Sequence, residues 1–307
     1  MSAQHRIDVE QNKPERLELL RAQQLFYSRA KLYQNSFAVI ALLLPALGVF
    51  FGARFPAIRP FLAFGSMVIL LLEVGFISRK QREDSRRAAK VQEQFDTEVL
   101  QLAWNRLVAG AKVDAEDVRE MCRNPMTDAE RSAILNWYEP VISKLPLPVG
   151  RLICQRTNVA YDMRVRKVYA DTLLGSAFFL VVVLGVFGLV QDLKFNDFIV
   201  TVLPALPFAA WVLREYRKQN DTIETLTTIK SEVEKVWDKA LAGASFDELT
   251  LSVRALQDAI FRHRASNPLV VDWLYRRIRT RYEDLTRHAS EKLVAEAQER
   301  LKAVGAQ

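Results

Sequence analysis

The sequence predicts an all-α integral membrane protein, in which four transmembrane helices form two hairpins joined to a helical cytoplasmic assembly. First, the chain of 307 residues contains four long apolar runs, 32–53, 60–78, 172–191 and 198–213, within which Glu73 is the only charged residue. Second, nearly all of the 43 Lys and Arg and 36 Asp and Glu lie outside these runs, so the mean hydropathy of -0.02 describes neither part. Third, the charged segments repeat apolar residues at helical spacing, without sustained strand-like alternation. This composition excludes a simple soluble enzyme, and the presence of only two cysteines excludes a disulfide-built secreted domain.

The chain is expected to begin with a cytoplasmic helix and a transmembrane hairpin. Residues 1–31 are rich in charge and form the N-terminal cytoplasmic helix, and residues 32–78 form hairpin 1. Roughly 20 apolar residues span a hydrocarbon core about 30 Å thick, and both runs meet this requirement. A short connector, 54–59, joins the runs, so we expect the chain to cross the membrane and return directly.

Residues 79–171 are expected to form a cytoplasmic helical segment. An apolar face with spacings of three and four residues predicts a helix over 79–104, continuous with the second run. Thr127 and Glu130 have the spacing of a capping box and predict the start of another helix. The two prolines and the glycine of residues 144–150 predict a break before a short lead into the third run.

Residues 172–213 are expected to form hairpin 2, again with a short connector, 192–197. Its second run has 16 apolar residues and reaches only about 24 Å as a helix, so a buried core helix or a re-entrant segment is the alternative to a full span. Pro45, Pro204 and Pro207 remove backbone donors inside the runs. They are candidate hinges, and a static bend is the alternative for each.

Residues 214–307 are expected to form the C-terminal cytoplasmic helical segment. Its first helix carries a short heptad-like seam, and the seam residues are Leu226, Ile229, Val233, Val236 and Ala240. Ser245 and Glu248 have capping-box spacing, and Pro268 separates the helix that they start from a last helix over 273–304.

Positive charge predicts the orientation in the bilayer. Basic residues cluster after the second run, before the third and after the fourth, whereas the hairpin tips carry few. The basic residues at these three ends are Arg79, Lys80, Arg82, Arg86, Arg87, Lys90, Arg164, Arg166, Lys167, Arg214, Arg217 and Lys218. Because positive loops stay on the cytoplasmic side, we expect a multi-pass protein with both termini in the cytoplasm.

Glu73 is a functional candidate because a charge within hydrocarbon is costly. A pore-lining or gating role is one interpretation. The alternative is that the carboxylate, five residues from the end of the run, snorkels to the interface or pairs with Arg79.

The sequence offers little for catalysis. It contains no phosphate-binding glycine loop, nucleophile elbow or metal-ligand cluster, so we expect no enzyme activity, no metal and no cofactor. The runs also lack a polar stripe, so a pore requires a homo-oligomer or a rearrangement. Arginines interleaved with aromatic residues, in 261–264 and 273–282, suit a nucleotide-like ligand. They equally suit anionic lipid headgroups or a solvated face, but their charge is too scattered for duplex nucleic acid.

Several long strings resemble a known family. They are LLRAQQLFYSRAKLYQ (19–34), KVQEQFDTEVLQLAWN (90–105), RLICQRTNVAYD (151–162), WDKALAG (237–243) and LQDAIFRHRASNPLVVDWLY (256–275). In this order, and with two hairpins, the chain resembles the SMODS-associated four-transmembrane family of pore-forming effectors. This family accompanies bacterial nucleotidyltransferase-based anti-phage systems.

The resemblance implies a non-enzymatic effector of the bacterial inner membrane. A partner nucleotidyltransferase would make a cyclic nucleotide or oligonucleotide messenger, and the effector would respond by permeabilising the membrane before the phage replicates. The strings indicate where a ligand could bind, and the candidates are Arg151, Gln155, Arg156, Asn158, Arg262, His263, Arg264, Trp273 and Tyr275. These residues could instead hold the two cytoplasmic segments together. The alternative function is a membrane-anchored scaffold that recruits a cytosolic partner through its coiled helices.

Overall fold

A computed structural model describes residues 6–52 and 54–305, and this part of the chain is helical and contains no strand. The predicted fold class is confirmed. In chain order the α-helices are α1 (Ile7–Glu10), α2 (Pro14–Gly52), α3 (Arg59–Leu72), α4 (Ser78–Val99), α5 (Arg106–Ala109), α6 (Ala115–Met121), α7 (Asp128–Ile134), α8 (Leu147–Val190), α9 (Phe195–Val202), α10 (Leu206–Leu241), α11 (Phe246–Ser266) and α12 (Asp272–Gly305). Turns of 3-10 helix lie at Pro56–Ile58, Pro140–Lys144 and Leu203–Ala205, and a π-helical turn lies at Glu73–Ile77.

Four helical stretches are long and apolar enough to cross a membrane: Pro14–Gly48, Pro56–Val99, Leu147–Val190 and Phe195–Leu241. The fourth, which contains the short run, meets the same standard of length and composition as the others. Large apolar side chains on these stretches are exposed, such as Phe61 at 77%. Because exposed apolar surface on this scale is unfavourable in water, it favours a lipid environment.

The two hairpins extend well beyond the apolar runs. In the first, α2 is one helix of 39 residues with neither glycine nor proline between Pro14 and Pro45, and it packs along α4. In the second, α8 is one helix of 44 residues and packs along α10. The lead into the third run is therefore helical from Leu147 onward, because Pro148 falls in the first turn, where a proline needs no hydrogen-bond donor.

A core outside the apolar runs lies between these helical extensions. Helix α11 packs against α4, α8 and α10, and α12 packs against α8. The predicted seam on α10 faces this core: Leu226 and Val233 are at most 1% exposed. The capping box of Thr127 and Glu130 is confirmed, with the threonine hydroxyl accepting a hydrogen bond from the Glu130 amide.

The end of the helix after the second run was predicted wrongly. Helix α4 ends at Val99 and not at Trp104, because Gln101 adopts a left-handed backbone with φ of +51°. The Arg151 guanidinium stabilises this ending by donating hydrogen bonds to the carbonyls of Leu100 and Gln101, both at 2.6 Å. A contact between residues so distant in sequence leaves no local signal.

Candidate ligand cavity and its connection to the membrane helices

A cavity of about 380 Å³ lies where α2, α8, α11 and α12 meet, at the ends of the hairpins opposite their tips. Its lining combines charge with aromatic rings. The charged side chains are Lys31, Asp162, Arg166, Arg264, Asp272 and Arg279, and the aromatic ones are Tyr27, Trp137, Tyr161 and Tyr275. A cavity of this size and composition is typical of a site for a small ligand.

Helical spacing places these groups together. On α2, Gln23, Tyr27 and Lys31 are four residues apart and therefore lie on one face, which lines the cavity. On α8, Asp162 and Arg166 have the same relation. Since both helices continue into the apolar runs, the cavity is built directly on two of the four membrane helices.

Asp162 is the centre of charge on the α8 wall. Its carboxylate lies 2.9 Å from Arg166 Nε, in an ion pair, and 3.2 Å from His263 Nε2. Burial opposes ionisation of Asp162, but the Arg166 guanidinium, together with His263, holds the pKa of this carboxyl well below its usual range. Burial lowers the pKa of His263, so the imidazole is neutral at pH 7.

Arg264 is fixed from behind the cavity by Asp96, with which it forms an ion pair. Asp96 is fully buried and also accepts a hydrogen bond from the Tyr138 hydroxyl at 2.6 Å. Burial raises the pKa of Tyr138 well above its ordinary value, and the adjacent Asp96 carboxylate adds to this effect. The Arg264 guanidinium is therefore held in one position as part of the cavity wall.

The aromatic side chains form a second wall. The rings of Tyr161 and Tyr275 meet edge to face with centroids 6.2 Å apart. The Lys31 ammonium lies 5.6 Å from the Tyr275 ring centre and forms an ion pair with Asp272. A cation over an aromatic ring, beside an ion pair that a ligand could replace, suits an anionic group attached to a flat ring system.

Four buried polar atoms in the cavity wall have no hydrogen-bond partner among the described residues. They are Oε1 of Gln23, which is 6% exposed, the indole Nε1 of Trp137, the hydroxyl oxygen of Tyr161, and Nε of Arg166, which forms only an ion pair with Asp162. Because buried polar groups are nearly always paired, these free atoms indicate that a ligand or water completes the site.

A second cavity, of about 460 Å³, adjoins the first. It shares Trp137, Asn158, Tyr161, Tyr275 and Arg279 with the first lining. A ligand longer than the first cavity could therefore extend past these side chains into the second.

The structure brings together four of the nine ligand candidates. Asn158, His263, Arg264 and Tyr275 line the first cavity. The residues that sequence reasoning missed are mostly on α2, namely Gln23, Tyr27 and Lys31, and on α8, namely Asp162 and Arg166. Their four-residue spacing is visible in the sequence, but nothing local indicates which helices meet.

The other five candidates lie outside the first cavity. Arg151 caps α4, and Gln155 is buried, with its amide donating to Gln257 Oε1 and Val253 O, both at 3.0 Å. Arg156 pairs with Glu234 at 3.5 Å. Arg262 lines a separate cavity between α10 and α11, and Trp273 is 55% exposed on α12.

Glu73 does not pair with Arg79, as one interpretation of the sequence expected. Its carboxylate accepts from Arg214 Nη2 at 2.7 Å and from the Ser78 hydroxyl at 3.0 Å, whereas Arg79 pairs with Glu83. The pairing connects the second membrane helix to the fourth, and the π-helical turn that begins at Glu73 allows it. Such turns within α-helices are frequent at functional sites.

The three prolines have different settings. Pro45 lies within α2, which continues through it, and is buried. Pro204 lies in the 3-10 turn between α9 and α10, and Pro207 lies in the first turn of α10. The fourth membrane helix is thus interrupted where the sequence predicts a bend.

A chain of hydrogen bonds runs from the cavity to Glu215, the residue that follows Arg214 in α10. Arg166 donates to Gln219 Oε1 at 2.8 Å, and Gln219 donates to Glu215 Oε1 at 3.0 Å. Glu215 is 3% exposed and follows Arg214 directly in α10, and burial raises the pKa of its carboxyl. A change at Arg166 therefore has a short polar route to the fourth membrane helix.

The described residues include no group of three or more His, Cys, Asp and Glu side chains that could hold a metal ion. The cavity offers cations, aromatic rings and single polar atoms, an arrangement suited to binding a ligand.

Comparison with known proteins identifies the family. No solved structure matches the chain. The chain is 25% identical over 283 residues to a protein of Bacillus cereus (strain VD146) named "Probable CBASS effector molecule", and the match covers 86% of this chain and 90% of that protein. The sequence model of the SMODS-associating 4TM effector domain matches residues 5–293. The chain therefore belongs to the SMODS-associating 4TM effector domain family.

Proposed function

We propose that this protein is a CBASS effector of anti-phage defence, which permeabilises the bacterial inner membrane when a nucleotide messenger binds in the first cavity. The observation that carries the proposal is the shared use of α2 and α8. Each helix lines the cavity with its cytoplasmic part and contributes a membrane span with the remainder. Binding in the cavity therefore acts on the membrane helices without an intervening domain.

The ligand class follows from the lining. Four cationic side chains face two acidic ones, so the site favours an anion, and Arg264 and Arg166 can each present a fork to a phosphate. The aromatic rings and the free Gln23 Oε1 and Trp137 Nε1 suit a nucleobase. The adjoining second cavity gives room for a cyclic nucleotide or oligonucleotide made by a partner nucleotidyltransferase.

Gating requires that the messenger bind one arrangement of the helices better than the other. A phosphate that takes Lys31 or Arg166 competes with Asp272 and Asp162 for these cations. Lys31 is at the end of the first membrane helix, and Arg166 is connected to α10 through Gln219. A phosphate that replaces the aspartate partner of either cation therefore favours movement of the membrane helices within the bilayer.

A pore in this account needs more than one subunit or a rearranged one, because the apolar runs carry no polar stripe. We propose a homo-oligomer in which activated subunits line the opening. The basic residues at the ends of the runs opposite the hairpin tips favour a cytoplasmic position for the cavity and both termini, where the messenger is made. In this role the protein acts on the bilayer and catalyses no reaction.

The alternative function is a scaffold that recruits a partner through coiled helices, and it would need the seam from Leu226 to Ala240 to be exposed. Within the core of this chain, Leu226, Val233 and Ala240 are at most 2% exposed. The seam is therefore not available for docking.

The proposal is tested in cells that express the protein together with a nucleotidyltransferase encoded beside it. We expect uptake of a membrane-impermeant dye to require both proteins and an active nucleotidyltransferase. Dye exclusion by intact cells that contain the inserted protein and a measured level of messenger would contradict permeabilisation.

A further inference from the structure

The first turns of α12 carry an exposed cationic face, which we call the α12 outer face and define as Trp273, Arg276, Arg277 and Arg281. These residues follow one another at spacings of three, one and four along the helix and share one side of it. All four are exposed, with Trp273 at 55%. None of the three arginines forms an ion pair with any residue that the structure describes.

The rest of the helix is different. On the opposite side of the same turns, Leu274 is buried and Tyr275 and Arg279 line the first cavity. Arg279 pairs with Glu283, and Arg287 is 3.8 Å from Glu139. Three neighbouring unpaired arginines beside an exposed tryptophan are thus a property of the outer face alone.

The start of α12 lies at the level where the membrane helices leave the apolar runs. Leu274 belongs to a buried cluster with Phe37, Leu173 and Trp211, each within six residues of the cytoplasmic end of its run. Asp272 pairs with Lys31, the last residue before the first run. The headgroup layer extends about 5–8 Å beyond the hydrocarbon core on each side, so Trp273 lies within or beside it.

We propose that the α12 outer face binds the headgroups of anionic phospholipids in the cytoplasmic leaflet. An amphipathic indole is favoured at this depth, and guanidinium groups bind phosphate through paired hydrogen bonds. Arg276 and Arg277 are within about one turn of Trp273, whereas Arg281 lies about 12 Å along the helix, beyond the Debye length of about 8 Å at physiological salt.

The observations favour lipid over a second protein surface. The four residues of the face include one large apolar side chain and no acidic group, and the exposed Asp284 follows on the same side about one turn beyond Arg281. A protein interface instead has an apolar core surrounded by polar groups of both signs. The α12 outer face also adjoins the bilayer, whose cytoplasmic surface is negative. The bound lipid would orient α12, and with it the cavity wall formed by Tyr275 and Arg279.

The test uses the purified full chain in vesicles of three parts phosphatidylcholine to one part phosphatidylglycerol, without any messenger. Two vesicle preparations are compared. In one, the acyl chains of phosphatidylglycerol carry bromine near the headgroup, and in the other, those of phosphatidylcholine do, at the same total bromine content. The fluorescence of Trp273 is the difference between the unmodified protein and Trp273→Phe, since the chain has five tryptophans. We expect brominated phosphatidylglycerol to quench this difference at least twofold more strongly than brominated phosphatidylcholine.

In the variant R276Q/R277Q/R281Q, the two brominated lipids should quench the fluorescence of Trp273 equally. The control R123Q/K292Q/R300Q removes three exposed basic side chains from elsewhere on the surface and should keep the preference. Equal melting temperatures of both variants show that folding is retained. Equal quenching in the unmodified protein would overturn the proposal. So would quenching by neither lipid, which would indicate that a second copy or another protein covers the face.

Discussion

Single side chains in the core outside the apolar runs carry buried charge, and this charge sets local stability. Glu93 and Asp96 on α4 are at most 2% exposed, and Gln257 on α11 donates to both. Arg254 pairs with Glu93, and Arg264 pairs with Asp96. Breaking such a pair leaves an uncompensated charge, so the network fixes how α4 and α11 meet behind the cavity.

Glu93 should make stability depend on pH. Burial raises the pKa of its carboxyl to about 7, and Arg254 and Gln257 only partly oppose this. A pKa raised on folding stabilises the protein below about pH 4.5, and this contribution is lost as the pH rises to about 7. The unfolding free energy of Glu93→Gln minus that of the unmodified protein should therefore increase by on the order of 2 to 3 kcal/mol as the pH rises from 4.5 to 7.5. A difference between the two proteins that stays constant with pH would exclude this role.

Two arginines of one string should differ sharply in their effect on stability. Arg151→Ala removes two hydrogen bonds to carbonyls and leaves the fully buried Leu100 carbonyl unpaired, so we expect a loss of about 2–4 kcal/mol. Burial lowers the pKa of Arg151 only to about 10, so it is charged at pH 7. Arg156→Ala removes a partly exposed pair with Glu234 and should cost less than about 1 kcal/mol. Equal losses in chemical denaturation would contradict the capping role of Arg151.

At the scale of residues, the sequence could locate only a small part of the cavity, since four of the nine ligand candidates belong to its lining. The string over 256–275 indicates His263, Arg264 and Tyr275, because arginines interleaved with aromatic residues suit phosphate and base recognition. It could not separate these from Trp273, since whether a residue faces the cavity or the bilayer depends on which helix α12 packs against. Lys31 could not be found for the same reason.

At the scale of elements, the membrane helices are marked by specific irregularities. The π-helical turn at Glu73–Ile77, the 3-10 turn at Leu203–Ala205 and the pair of Glu73 with Arg214 all lie where the second and fourth membrane helices approach the first. Gly48 on α2 lies beside the 3-10 turn, because an added Cβ would lie 3.6 Å from the Thr201 carbonyl and 4.0 Å from Pro204 Cγ. These features make the helix contacts sensitive to small displacements.

Loss of the Glu73–Arg214 pair should loosen this arrangement. Glu73→Gln or Arg214→Gln should raise the leakage of dye-loaded vesicles in the absence of messenger, because one charge is left at the membrane boundary without its partner. Glu83→Gln, which removes an exposed carboxylate from α4, is the control and should leave leakage unchanged. If both pair variants remain as tight as the control, the pair does not hold the closed arrangement.

The tip of hairpin 2 should tolerate alanine at one glycine and not at another. A Cβ at Gly188 would lie 2.5 Å from the Phe198 ring, closer than real contacts allow, whereas nothing lies within 4 Å of a Cβ at Gly185. Gly188→Ala should lower the melting temperature by several degrees. Gly185→Ala should leave it unchanged or raise it, because alanine favours the helix. A similar change in both variants would show that α8 and α9 do not meet as described.

Element boundaries were predictable where the signal is local. Apolar length gives the four membrane helices, and the α10 seam gives the buried face of that helix. The end of α4 and the π-helical turn were not predictable, because a distant arginine fixes the first and a helix–helix ion pair accompanies the second.

At the scale of the whole molecule, two hairpins extend beyond their apolar runs and enclose a cavity with these extensions. The cavity walls are mostly continuations of membrane helices or helices packed against them. The near-zero mean hydropathy and the net charge of +7 reflect this division, because apolar spans and a charged body outside them are averaged. In the proposed mechanism, a bound anion favours a different packing of the spans by acting on Lys31 and Arg166.

The most direct test of this account is messenger-dependent leakage from vesicles that contain the purified protein, with the product of the partner nucleotidyltransferase added outside to inserted protein of known orientation. We expect the unmodified protein to release dye. Lys31→Gln removes one cavity cation at the start of the first span, so it should need at least a tenfold higher messenger concentration for the same release. Lys292→Gln, an exposed position away from the cavity, should release dye as the unmodified protein does. Dye retention by correctly inserted unmodified protein at saturating messenger, or an unchanged requirement in Lys31→Gln, would contradict the claim that this cavity controls the membrane helices.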